Sequence, residues 1–260
     1  MSSRRLQLAA LYTAAALGAA LMLAPLAGLS LRAPWSSALE LLRMPAVRSA
    51  IWLSLEVSSA AVAASLVMGF PLAWLLARVD FPGKRWLRTL LTLPLVLPPV
   101  VAGVALLAAF GRYGLLGASL DALGIRLPFT TLAAIIAATF VSAPLLITSL
   151  ESALVQAEVR FEQVAATLGA SPWRTFWSVL IPSIRPALLA GLALCWARAL
   201  GEFGATITFA GNLEGRTQTL PLAIYQLLQH RPEAALLLGA ILLVVSIVVL
   251  GALRGQGPRT

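Results

Sequence analysis

The chain has 260 residues; 60 % are hydrophobic and only 11 % are charged, where an ordinary soluble domain is roughly half apolar and about a quarter charged. Nineteen Lys+Arg against 10 Asp+Glu give a net charge of +9, and the mean hydropathy is +0.90. These values weigh against a soluble globular enzyme and exclude a disordered chain, which is poor in apolar residues. They predict an all-α integral membrane protein with length for six bilayer spans of about 20 residues each.

Six apolar segments follow in chain order: 6–31, 49–77, 89–110, 129–150, 187–210 and 234–253. Arg4 and Arg5 precede the first, as in a secretory signal. The run is longer than the roughly 7–15 residues of a signal core and lacks a small-x-small cleavage site, so a retained helix is expected. Only Glu56, Arg198 and Glu202 among the charged residues fall inside the six segments. A bilayer enforces that partition, because a charge at its centre costs several kcal/mol. Pro71 lies near the end of the second segment, Pro94, Pro98 and Pro99 in the third, and Pro144 in the fourth. Proline removes a backbone donor and bends a helix. The freed carbonyls need a neighbour or a wet cavity. Both ordinary kinking and a third span that lines a path, with Pro98 and Pro99 on it, fit this pattern.

Arg198 and Glu202 are four residues apart and share a helix face. A structural ion pair and the lining of a path or gate are both open readings for them. Glu56 has no sequence-local partner: pairing with Arg198 across helices and a shallow position near the outer interface are its two alternatives. Ser142, Thr206 and Thr208 are hydroxyls in the spans that can donate weakly to an anion or bond their own helix carbonyls.

Loops on one side, with the termini, hold eleven Lys and Arg, and the other side holds seven, with Arg198 in a span. By the positive-inside rule both termini face the cytoplasm. The segments 78–88 and 151–186 are then cytoplasmic, and 32–48, 111–128 and 211–233 face outward. The basic residues are scattered between apolar runs, which argues for membrane topology and against a nucleic-acid partner.

No catalytic constellation is visible. Gly83-Lys84 lacks a glycine five residues earlier and is followed by Arg85, so there is no P-loop for ATP. One cysteine, Cys195, and one histidine, His230, exclude an internal disulfide, a Cys-rich metal site and a Ser-His-Asp triad. No metal ligand set is expected.

The segment 151–186 is the most informative. It contains Glu162-Gln163-Val164-Ala165-Ala166-Thr167-Leu168-Gly169, then nine residues, then Val179-Leu180-Ile181-Pro182. Residues 155–168 can form a short helix, with Ala165 and Ala166 allowing close approach of another surface. Gly169 is a natural helix end. Ser171 is placed to cap a second helix that begins at Pro172. Trp173, Phe176 and Trp177 give that helix an apolar face. The pattern resembles the EAA loop of ABC-importer permeases: Glu-Ala-Ala, three residues, Gly, nine residues, Ile-x-Leu-Pro. The Gly169-to-Pro182 spacing matches in full. Gln163 and Val164 depart from the pattern, and Glu162 stands one position early.

Further stretches agree with that resemblance. They include Gly69-Phe70-Pro71-Leu72-Ala73-Trp74 and Thr92-Leu93-Pro94-Leu95-Val96-Leu97-Pro98-Pro99. Gly201-Glu202-Phe203-Gly204 and Arg216-Thr217-Gln218-Thr219-Leu220-Pro221 are most similar to molybdate/tungstate permeases, with sulfate/thiosulfate permeases next. The resemblance implies one six-helix type I permease domain over residues 1–260, with 151–186 as a cytoplasmic coupling loop. It implies ATPase docking through Glu162, Gln163, Ala165, Ala166, Gly169 and Pro182. It further implies a multi-pass inner-membrane homodimer, surrounded by lipid, with two cytoplasmic ATPase subunits and an extracytoplasmic oxyanion-binding protein. ATP and Mg would bind the ATPase, so no cofactor is expected in this chain and the chain itself is not an enzyme. A stand-alone secondary transporter, which would need inverted repeats or a proton or sodium site, is the rival class.

Overall fold

The computed structural model describes residues 3–254. Arg259, counted above for orientation, lies outside the described residues, as do the side chains of Arg4, Arg5 and Arg254. The helices in chain order are α1 (Ser3–Arg32), α2 (Ala38–Arg43), α3 (Pro45–Arg78), α4 (Lys84–Val96), α5 (Pro99–Phe110), α6 (Gly117–Ala122) and α7 (Thr131–Gln156). They continue as α8 (Val159–Thr167), α9 (Pro172–Thr175), α10 (Ile181–Leu200), α11 (Gly204–Phe209), α12 (Leu220–His230) and α13 (Pro232–Arg254). No strand occurs among the described residues.

Five helical stretches are long and apolar enough to cross a membrane: residues 7–32, 45–78, 131–156, 172–200 and 232–249. The sixth expected span, 89–110, is divided. Its helix stops at Val96 and restarts at Pro99. Pro98 and Pro99 have no backbone N–H, so the carbonyls four residues earlier, on Pro94 and Leu95, lose their helical donors. The fifth segment is also interrupted, at 201–203, before the short α11.

α7 sits at the centre, packed against α3, α10, α4 and α11. Its buried stripe runs through Ala133, Ala134, Ala137, Ala138, Val141 and Ser142. The facing stripe on α3 is Ser54, Val57, Ser58, Ala61, Ser65, Gly69 and Ala73. Both repeat at three- and four-residue spacing, which places them on single helix faces. Small residues dominate because apolar lipid gives helices no hydrophobic drive to associate. Close backbone approach and dispersion must hold them together.

A close approach joins α5 to α11. A Cβ on Gly103 would fall 2.6 Å from Thr208 Cβ, and one on Gly204 would fall 2.6 Å from Pro99 Cβ. Neither position accepts a side chain without moving a helix. α1 is the opposite case. It rests chiefly on α13, and none of its most apolar stretch is buried.

Candidate functional site

The segment between α7 and α10 projects from one end of the bundle. α7 continues to Gln156, so the short helix of this segment begins at Val159 rather than at 155 as the sequence suggested. Two further expectations hold. Gly169 has φ +82, the left-handed conformation that ends a helix most easily when there is no Cβ. Ser171 Oγ accepts the Arg174 N–H at 3.3 Å and caps α9, with Pro172 at its first helical position.

α8 is tied to the bundle by a contact absent from the sequence reading. Arg78, at the end of α3, donates to Glu162 Oε1 at 2.9 Å and to the Ala157 carbonyl at 3.4 Å. The outer surface of α8 stays free: Gln163, Ala166 and Gly169 are exposed, as are the apolar side chains of Val159, Phe161, Val164 and Leu168, while Ala165 is half-buried. Pro182, in the first turn of α10, is exposed. A single π-helical turn over Phe176–Leu180 joins α9 to α10. There Phe176 stacks on Trp173 at 6.0 Å and meets Phe70 of α3 edge-on at 5.6 Å. Ahead of α4, Asp80 accepts from Lys84 at 2.9 Å, and this ammonium holds the Asp80 carboxyl below the usual carboxylate range.

The same end of the bundle carries an open groove of about 560 Å³ between α4 and α7, lined by Arg88, Thr89, Thr92, Thr148, Glu151, Ser152, Val155 and Gln156. Glu151 is nearly buried, and its Oε1 accepts from both Nε and Nη2 of Arg88. Both residues fall just outside the expected spans, and 63 positions separate them. No local pattern could have paired them.

Among the residues expected on a path or gate, Pro99 lies against Gly204, two residues after Glu202, and Thr208 lies against Gly103 of α5. Arg198 Nη1 donates to Glu202 Oε2 at 2.6 Å, as their spacing implies. Glu202 Oε1 accepts the Ala205 N–H at 2.8 Å. The carboxylate therefore neutralises Arg198 and also caps α11. Ser142 is buried and accepts from Cys195 Sγ at 3.4 Å. Thr206 is buried, and its hydroxyl has no hydrogen-bond partner among the described residues; Thr208 donates to its own helix at the Gly204 carbonyl, 2.8 Å away. Pro98 and Pro99 are exposed at the break in the third span. Glu56 is exposed on α3, four residues beyond exposed Trp52. With the Arg198 guanidinium on Glu202, the cross-helix pairing of Glu56 is not formed.

The segment 211–219, expected as an outward loop, is partly internal. Thr217, Gln218 and Thr219 are buried, and Thr217 Oγ1 accepts the Leu213 N–H at 2.9 Å. Ser54 of α3 accepts the Leu220 N–H at 2.6 Å and supplies the first turn of α12 with an acceptor.

A membrane helix bundle with a short helix tethered at one end has the fold of ABC-importer permeases. Residues 69–260 match the family described as "Binding-protein-dependent transport system inner membrane component", and the chain belongs to that family. It is 45 % identical over 249 residues to the molybdenum transport system permease protein ModB of Mycobacterium bovis, covering 96 % of this chain and 93 % of that one. It is 49 % identical over 181 residues to ModB of Escherichia coli, covering 69 % and 79 %. The sulfate transport system permease protein CysT of Synechococcus elongatus is 36 % identical over 212 residues, covering 81 % and 76 %. Among solved structures, a bacterial ABC transporter involved in the import of the acidic polysaccharide alginate superposes with a TM-score of 0.73 at 17 % identity, covering 97 % and 96 %. The MetNI methionine ABC transporter gives 0.60 at 17 %, covering 80 % and 95 %. These two share the fold.

Proposed function

We propose that the chain is the permease subunit of an ATP-driven importer of a tetrahedral oxyanion, molybdate or tungstate. It works as a homodimer with both termini in the cytoplasm, two ATPase subunits docked on α8, and an extracytoplasmic binding protein on the far face. The observation that carries the reading is the 45 % identity to a molybdenum permease sustained over 96 % of the chain. The site supports it physically. α8 offers small and apolar surface around Gln163, Ala166 and Gly169 for a groove on another protein, and Glu162 and Arg78 tie that helix to α3. A permeating dianion must be held weakly enough to leave. Arg198, the one Lys or Arg inside the six apolar segments of the sequence, is already matched by Glu202. The sulfate permease relatives make sulfate or thiosulfate the second reading.

The test is labelled-anion flux into proteoliposomes. The chain alone should move nothing. With its ATPase, a loaded binding protein and ATP, molybdate and tungstate should accumulate while sulfate competes poorly. Uptake of sulfate without molybdate would shift the substrate to the second reading. Gradient-driven flux by the chain alone would overturn the importer assignment.

A further inference from the structure

The α4–α7 groove opens beside the Arg88–Glu151 pair that fastens α4 to α7. Its two charges bridge different helices at the end where α8 sits. The polar side chains around them differ in what they can offer. Thr89, Thr92 and Thr148 donate to carbonyls of their own helices. Ser152 and Gln156 have no hydrogen-bond partner among the described residues, and the Arg88 side chain is 46 % accessible where that of Glu151 is 10 %. The groove thus holds one half-exposed guanidinium, an amide and a hydroxyl. These donors suit a tetrahedral oxyanion. Beneath them a buried carboxylate cancels the cation.

We propose, building on the oxyanion-permease reading above, that this groove is an exit subsite for the transported anion, with Arg88 as its cationic element and Glu151 as the residue that makes it let go. A dianion arriving from the spans meets Arg88, whose fork-shaped donor set matches carboxylates and oxyanions alike. Glu151 competes for the same guanidinium from the buried side. Because the carboxylate is covalently fixed beside Arg88, its effective concentration is high, and it reclaims the cation as the anion departs. Without Glu151 the groove would carry an uncompensated positive charge next to free donors and would retain its cargo. Glu151 is therefore a release residue acting through Arg88.

The experiment measures retention, not transport. The permease is purified with its ATPase partner, placed in nanodiscs and titrated with labelled molybdate, without binding protein or ATP. Tungstate and sulfate serve as parallel probes. Wild type should retain molybdate weakly. Glu151→Gln keeps the shape of the side chain and should retain it at least tenfold more tightly. The double variant Arg88→Gln/Glu151→Gln should return to wild-type retention. Ser152→Lys keeps both members of the pair, adds a cation to the groove wall beside Glu151, and should also tighten retention. It decides the matter if Glu151→Gln fails to assemble, as judged by size-exclusion chromatography. Unchanged retention of all three anions in the assembled variants overturns the subsite. Tightening for sulfate but not for molybdate keeps the subsite and overturns the molybdate assignment instead.

Discussion

The hydroxyl of Ser54 and the backbone N–H of Leu220 meet at 2.6 Å, although 166 positions separate the two residues. Thr219, the residue before α12, makes no side-chain cap, and its own hydroxyl has no partner among the described residues. α12 therefore begins on an acceptor lent by α3, and the Thr217-Gln218-Thr219 run is drawn inside the protein. Replacing Ser54 with Ala should strand a buried N–H, at about 1–3 kcal/mol. Thermal unfolding of the detergent-solubilised protein would show this as a lowered midpoint. A midpoint equal to that of wild type would mean the bond is not formed.

Glu202 serves two groups, so its loss and the loss of Arg198 should not be equivalent. Removing Arg198 leaves a carboxylate only 2 % accessible, with the Ala205 N–H as its remaining partner among the described residues. Breaking a fully buried pair costs about 3–5 kcal/mol. The Arg198 side chain is 32 % accessible, so water recovers part of that, and the cost should be nearer the lower end. Arg198→Met/Glu202→Gln should be milder than the summed single losses, because neither charge is stranded. A double-mutant cycle on recovered folded protein checks this, and strictly additive losses would sink the pairing.

Gly103 and Gly204 set the spacing of α5 and α11. Alanine at either position forces atoms that now lie 2.6 Å from the added Cβ to move. Overpacking of this kind costs about 1–3 kcal/mol. Gly103→Ala and Gly204→Ala should both lower the unfolding midpoint, and because they press on the same pair of helices their effects should not add. Full additivity would place the two strains in independent regions.

Gly169→Trp separates folding from coupling. Open space surrounds a Cβ at this position, but φ is +82, so the strain is local and of order 1 kcal/mol. Membrane insertion should survive while stimulated ATP hydrolysis by a bound ATPase partner is lost. Arg78→Ala, which frees Glu162 from α3, should leave the partner bound but weaken that stimulation. Normal transport by Gly169→Trp would remove the docking role from this segment.

The spans were legible because a bilayer sorts residues by hydropathy, and the 13-residue step from Gly169 to Pro182 is a local pattern. The ion pairs divide by the same logic. Arg198 and Glu202 are one helical turn apart and could be paired on paper. Arg88 and Glu151 are joined only by the packing of α4 on α7, and Glu162 with Arg78 only by the way α8 folds back toward α3. Thr217 to Thr219 read as a polar loop because hydropathy cannot register that their hydrogen-bonding groups have somewhere inside to go.

The two halves of the third span answer to different neighbours. α4 is fastened to α7 through Arg88 and Glu151, and α5 is pressed against α11 at Gly103 and Gly204. Between them the helical ladder lacks its rungs to the Pro94 and Leu95 carbonyls, and Pro98 and Pro99 forbid their repair. In mechanical terms this span is a jointed linkage and not a strut. A displacement of the α8 end would turn α4 about the joint and leave α5 seated against α11.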